Sequence, residues 1–530
     1  MAVVSVVTEN GTEKLICEEG RTLKDVLVSS GIYVDSPCGG HGKCGKCIVK
    51  VTGKVSEPTA EENGLDTDSG ERLACLTKVL GDCRVLFSLG EKNMAVSLGG
   101  NSEEPRLFAL GENSGLGAAV DIGTTTVVCR LFDLEKGREL GAHGEINLQR
   151  SFGADVISRI GACISSKDSF NSLCETVRLQ IRDMLCLLCQ KAGRDSEEIC
   201  RLVVAGNTTM AHLFCGLDPS GLGSAPFTPV SLFGESFSCS ASGLGVSQNC
   251  EIYVVPASAS FVGGDITAAA VSQNMDVSQK TELMIDIGTN GEIVLSHGGK
   301  LYCCATAAGP AFEGADISCG MGGTDGAIRK ANLNESGELI CEVIGNKTPC
   351  GVCGSGLVDI LAAMLKLGAL EYTGRMLFPD EAQGAAAKYL CEDDEGDAYF
   401  SVSEKVFITA EDVRKLQLAK AAIAAGARTL MDKAEVKSTE IENLWIAGGF
   451  GNNIRVEAAA EIGLIPFELA DRAVSVGNAA AEGACNILCS DLCRARAEKT
   501  GREMIYTELS SDPVFMEHYV NEMFFGEEQE

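Results

Sequence analysis

Ala119-Val-Asp-Ile-Gly-Thr-Thr-Thr-Val127 returns in outline at Met284-Ile-Asp-Ile-Gly-Thr-Asn-Gly-Glu292. Each copy is an apolar run, an aspartate, a Gly-Thr turn and a second strand, and alanine-rich helical stretches follow both. Such a repeat predicts two similar α/β lobes with a cleft between them. An aspartate ending a buried strand before Gly and Thr lets backbone N–H groups and hydroxyls grip phosphate oxygens. Asp121 and Asp286 are the candidate catalytic residues, facing each other across the cleft to orient a hydrated Mg2+ and the attacking water. Gly123, Thr124, Thr125 and Thr126 form one candidate phosphate loop, and Gly288, Thr289, Asn290 and Gly291 the other.

A third site lies at Leu444-Trp-Ile-Ala-Gly-Gly-Phe-Gly451, a strand entering a glycine turn. There Gly448, Gly449, Phe450 and Gly451 let bare backbone approach an adenosine. One Asp-x-Gly-Thr turn alone would be a strand end with a capping aspartate; two in register with a third site argue for nucleotide binding. Asn207-Thr208-Thr209, after the strand Leu202 to Ala205, either reaches the γ-phosphate or caps a helix. Gly354-Ser355-Gly356 is expected to open a helix beside the nucleotide.

Taken together, these motifs resemble the phosphate 1, phosphate 2 and adenosine motifs of the acetate and sugar kinase, Hsp70 and actin superfamily. Phe261-Val-Gly-Gly-Asp-Ile-Thr-Ala-Ala-Ala270 is similar to its first interlobe connecting helix, and Gly477-Asn-Ala-Ala-Ala-Glu-Gly-Ala484 to the second. The resemblance implies ATP as ligand and a hinge built from those helices.

The N-terminal residues read differently. Val3 to Thr8 and Lys14 to Cys17 alternate like strands around a turn at Asn10-Gly11. Thr22 can cap a helix that Gly31 ends. A glycine-rich cysteine loop, Ser36 to Cys47, then leads to strands at Ile48 to Val51 and Arg84 to Phe87. Cys38, Cys44 and Cys47 form C-x5-C-x2-C, and Cys75 in Arg-Leu-Ala-Cys-Leu supplies a distant fourth thiolate. Three close ligands and one distant ligand suit a [2Fe-2S] cluster, whereas structural zinc favours two C-x2-C pairs. Gly39, Gly40, Gly42 and Gly45 let the chain fold tightly with N–H groups aimed at sulfur. The loop resembles the adrenodoxin and plant-type ferredoxin group.

The expected fold is an α+β β-grasp ferredoxin domain (1–90), a linker (91–117), and a two-lobed α/β actin-like (ribonuclease H-like) ATPase domain. Its first lobe covers 118–275, and the second lobe with the C-terminal region covers 276–530.

Composition bounds the function classes. The 530 residues are 45% hydrophobic, enough for real cores, with 44 basic against 74 acidic residues and a formal charge of −30. That balance argues against nucleic acid and anionic membranes, which need clustered positive charge. The absence of a membrane-length apolar run points to the cytoplasm. The 25 cysteines in so large a chain suggest a reducing, anaerobic cell. Cys350 with Cys353, Cys186 with Cys189, and Cys303 with Cys304 are read as packing thiols rather than metal or disulfide sites. The five histidines show no metal spacing.

Across the full chain, the order of ferredoxin module, linker and actin-like ATPase resembles the reductive activators of corrinoid proteins. AGNTTMAHLF (205–214), PASASFVGGDITAAA (256–270) and CGSGLVDI (353–360) carry that likeness. The resemblance implies an activator that restores Co(I) from an oxidised Co(II) corrinoid protein of a methyltransferase system. It also implies a low-potential electron donor and permits a homodimer through the ATPase portion. Two other readings stay open: a small-molecule kinase with a regulatory ferredoxin domain, and an ATP-switched binding or chaperone protein.

Overall fold

The computed structural model describes residues 1–8, 11–86, 115–238, 243–314, 316–449 and 454–526. Its N-terminal module is a five-stranded sheet in the spatial order Gly11–Cys17, Ala2–Thr8, Val79–Leu86, Ile48–Val55, Glu71–Leu73. Ala2–Thr8 pairs antiparallel with its hairpin partner and parallel with Val79–Leu86, the mixed order of a β-grasp. Ala2, Val4 and Val6 alternate into a core that also takes Leu23, Val26 and Leu27 of helix Leu23–Ser29. Thr22 caps that helix by accepting from the Asp25 N–H at 3.1 Å. Gly31 follows the helix at φ +78°, where side-chain-bearing residues are strained. Of the expected Asn10-Gly11 turn, Asn10 lies outside the described residues and Gly11 pairs with Thr8.

Most of the expected linker, and Phe87 before it, lies outside the described residues. Its last two positions need correction. Leu116 and Gly117 already belong to the buried strand Leu116–Ile122, whose pairing with Thr126–Asp133 begins at Leu116.

Each lobe centres on the strand that carries its aspartate. Leu116–Ile122 lies between antiparallel Thr126–Asp133 and parallel Ile199–Gly206, with Arg138–Ile146 outside the first and Glu251–Val254 outside the second. Glu282–Ile287 lies in the same way between antiparallel Gly291–His297 and parallel Asn443–Ala447. Lys300–Thr306 and Ala473–Gly477 complete that second sheet on either side, and Ile505–Tyr506 adds an edge. The shared order is the ribonuclease H-like pattern that the repeat predicts.

Helices Gly264–Ser272 and Ala479–Cys489 cross between the sheets. A Cβ on Gly483 would come within 2.0 Å of the Ala268 carbonyl oxygen, so glycine alone admits this crossing. Ile266, Ala269 and Ala270 pack with Met284 and Val294 of the second sheet. Ala484, Ile487 and Leu488 pack with Ala119, Phe132 and Val203 of the first. Arg130, 1% exposed, pairs with Glu139 in its own lobe and with Glu482 of the crossing helix at 2.8 Å. Among the described residues no helix is long and apolar enough to cross a membrane.

Candidate functional site

The cysteine loop follows from its glycines. Gly39, Gly40, Gly42 and Gly45 all sit at φ between +65° and +102°, folding the chain tightly enough to bring distant thiols together. The Ala74 N–H donates to the Cys47 carbonyl at 2.9 Å and pins the Cys75 segment beside the loop. The result is two pairs of sulfurs: Cys38 with Cys44 at 3.3 Å, and Cys47 with Cys75 at 3.4 Å.

Backbone N–H groups converge on these sulfurs. Burial raises the Cys38 thiol, but N–H groups of the loop outweigh it and bring the thiol down to about 7. The hydrogen bond with Cys75, working against burial, brings Cys47 down to about 7 as well. Cys44, raised by burial, and Cys75, raised by its bond to Cys47 and then by burial, keep their protons, so each pair offers one ready thiolate and one thiol that a metal would deprotonate. The sulfurs stand as two pairs, an arrangement that answers two irons better than one zinc. All four cysteines are reduced, and their donor set fits a [2Fe-2S] cluster.

The two candidate phosphate loops close alike. The Gly123 N–H donates to the Thr126 carbonyl at 2.9 Å, and the Gly288 N–H to the Asn290 carbonyl at 3.0 Å. Asp121 is buried and accepts from Asn478 Nδ2 at 2.8 Å. Burial lifts its carboxyl to about 6 despite that bond. Burial and the Asp121 charge lift Asp286 to about 7. Asp265, at the start of the first crossing helix, is lifted to about 8 by burial and by both of those aspartates. Glu292 is raised too, by burial and then by Asp265 and Asp286. Asp121 and Glu292 are buried and Asp265 and Asp286 half-buried, and the four carboxyls hold protons toward neutral pH that a bound divalent cation would displace.

The hydroxyls of Thr125 and Thr289 both donate to one carboxylate, that of Glu313, at 2.7 and 2.6 Å. Thr124 accepts from Asn207 Nδ2 at 3.0 Å, so Asn207 joins the loop while also capping helix Thr208–Cys215. The Thr208 hydroxyl donates to the Ala259 carbonyl at 3.0 Å. Gly291 is explained by packing: a Cβ there would meet Ile423 at 2.6 Å. A Cβ on Gly448 would lie 2.5 Å from the Ile287 carbonyl oxygen and 2.7 Å from Asp286, which sets the third glycine turn against the second aspartate. Gly449 follows it in the turn, whereas Phe450 and Gly451 lie outside the described residues. Gly354-Ser355-Gly356 opens helix Gly354–Leu367 by packing on strand Ala327–Leu333, where the Ser355 hydroxyl donates to the Arg329 carbonyl at 2.9 Å.

Asp265, Glu292, Glu313 and Asn478 escape a motif reading as site residues. Glu292 and Asn478 sit inside quoted motifs without an evident role, and Glu313 reaches the loops only through the fold. The paired cysteines outside the cluster loop are free thiols: Cys189, Cys303, Cys304 and Cys353 are buried, Cys186 is half-buried and Cys350 is exposed.

Three family models match in succession: a 2Fe-2S iron-sulfur cluster binding domain over residues 7–80, the RACo middle region over 116–278, and the C-terminal ASKHA domain of RACo over 280–530. The chain is 32% identical to the corrinoid activation enzyme RamQ of Eubacterium limosum, across 97% of this chain and 98% of that one. The chain belongs to the family of reductive activators of corrinoid proteins. A solved family structure, a reductive activator for a corrinoid, iron-sulfur protein, superposes with TM-score 0.69 at 30% identity and covers 98% of each chain. A Methanosarcina barkeri relative, the reductase of a Co(II) methylated amine-specific corrinoid protein, is 26% identical over 68% of each chain.

Proposed function

We propose that this activator passes single electrons from its ferredoxin module to the Co(II) corrinoid protein of a methyltransferase system, and that ATP turnover in the cleft governs the transfer. The observation that carries the reading is the joining, in one family-typical chain, of two sulfur pairs and two alike Asp-Ile-Gly-Thr turns that share the Glu313 carboxylate. Cys38 and Cys44 would hold one iron, Cys47 and Cys75 the other. The bound cluster supplies a one-electron donor near roughly −400 mV.

In the cleft, Gly123 to Thr126 and Gly288 to Gly291 bind the phosphates, Asn207 steadies the first loop, and Gly448 to Gly451 approach the adenosine. Asp121 and Asp286 would orient a hydrated Mg2+ and the attacking water, with Asp265 and Glu292 able to give up protons as the cation binds. Asn478 holds the Asp121 carboxylate in place and, as the cap of the second crossing helix, ties it to the hinge.

Reduction of Co(II) to Co(I) is uphill from such a donor, and each 59 mV of gap is about a tenfold loss in equilibrium. Nucleotide offsets this only by favouring one lobe arrangement over another. The test is direct: reduced protein, Mg-ATP and a Co(II) corrinoid protein, mixed without oxygen, should produce the Co(I) absorption spectrum. Formation of Co(I) at the same rate and extent without ATP would refute the reading. A low-potential donor reloads the ferredoxin module, and the acidic surface suits docking to a basic partner.

A further inference from the structure

The ferredoxin module and the first phosphate loop share one short piece of backbone, residues 147–154. On one side Asn147, together with Arg159 of the helix Val156–Ser165 that follows, holds the carbonyls of Gly123, Thr124 and Thr125. Asn147 Nδ2 donates to the Gly123 carbonyl at 2.8 Å, the Asn147 N–H to the Thr125 carbonyl at 2.8 Å, and Arg159 to the Thr124 carbonyl at 2.6 Å. Arg159 is fully buried and also donates to the Gly153 carbonyl at 3.1 Å, binding the piece back to the loop. On the other side the same residues grip the approach to the first cluster cysteine. The Ser151 hydroxyl donates to the Val34 carbonyl at 2.8 Å, Arg150 pairs with Asp35 at 3.0 Å, and the Ala154 N–H donates to the Pro37 carbonyl at 3.0 Å. A Cβ on Gly39, next to Cys38, would sit 3.3 Å from the Phe152 carbonyl oxygen. Between the two grips lies a single 3-10 turn, Leu148–Phe152.

We propose that Asn147, Arg150, Ser151 and Arg159 are positioning residues that couple the nucleotide state of the first phosphate loop to the seating of the cluster loop on the first lobe. When the loop closes on phosphate, its carbonyls shift, the turn moves with them, and residues 34–39 are released, freeing the ferredoxin module to meet its partner. This rests on the function proposed above and supplies its missing link between hydrolysis and electron delivery. Coupling is reciprocal: whatever factor nucleotide applies to release, release applies to nucleotide affinity.

The test uses the full chain with its cluster in place and a non-hydrolysable ATP analogue with Mg2+. Hydrogen exchange at the Val34 and Ala154 amides is expected to speed up about fivefold or more on binding. In Arg150→Ala/Ser151→Ala, both amides should exchange fast without nucleotide, and the analogue should bind about fivefold tighter. A merely structural contact would lower the melting temperature of that variant and leave its nucleotide affinity alone, which would overturn the proposal. So would wild-type amides whose exchange is unchanged or slowed by saturating analogue. Asp35→Asn provides a milder release if the double variant does not fold. Nucleotide binding and Co(I) formation, measured on the same wild-type preparation, report separately on the parent reading.

Discussion

Cys44→Ser removes one sulfur from the Cys38 pair and leaves the other pair intact. The expected outcome is loss of the [2Fe-2S] electron paramagnetic resonance signal with ATP binding retained, read by spectroscopy and calorimetry on one sample. Asp286→Asn should slow ATP hydrolysis about a hundredfold and leave the visible cluster spectrum unchanged. The carboxyls of the cleft also set a pH dependence. Asp121, Asp265 and Asp286 are raised to about 6, 8 and 7 by burial first, and then Asp286 by Asp121 and Asp265 by both Asp121 and Asp286. In the unfolded chain they ionise near about pH 4, so the folded protein holds protons more tightly there. Their contribution is whole below about pH 4 and is lost as pH climbs through these folded values. In the absence of Mg2+ and nucleotide, the thermal midpoint should fall by a few degrees from about pH 5 to about pH 8, and Asp265→Asn should flatten that fall. The aspartates of the repeat are legible because strand, acid and turn lie side by side in the chain. Glu313, which bridges Thr125 and Thr289, is not, since only the folded cleft brings its carboxylate to both loops.

At the scale of elements, the hairpin, the capped helix and the two aspartate-bearing strands follow from period, cap and turn chemistry. Boundaries were harder to read. Val79–Leu86 begins five residues before Arg84, because a register shift lets Val79 rejoin Val55 across Gly81-Asp82, which interrupt the apolar pattern. Leu116 was hidden by the glycine on either side of it. The crossing of Gly264–Ser272 with Ala479–Cys489 is the element most sensitive to a small change. Gly483→Ala puts a methyl against the Ala268 carbonyl, and a destabilisation of about 1–3 kcal/mol is expected from forcing the helices apart. Denaturant unfolding measures that cost, and nucleotide affinity measured alongside reports on the hinge.

For the whole molecule, the two chemistries are separable in their demands. Chelating Mg2+ should stop Co(I) formation while the reduced cluster keeps its spectrum, because the sulfur pairs draw nothing from the cleft acids. The match to relatives from end to end shows that the order of modules is a family property. Sequence motifs alone expose that order. They do not expose the hydrogen-bonded turn between the modules, whose partners lie more than a hundred residues apart in the chain.

The exchange of helices between lobes also bears on how the chain is made. One face of the first lobe's sheet, with Ala119, Phe132, Val203 and Tyr253, is covered by Ala484, Ile487, Leu488, Cys489, Cys493 and Ala497. Synthesis proceeds from the N-terminus, so until nearly the last residues emerge only Ala268 and Val271 of the first crossing helix can cover part of this face on the ribosome. The ATPase half therefore matures as one late event, and a ribosome that stalls within the second lobe leaves behind a sticky fragment that invites chaperones.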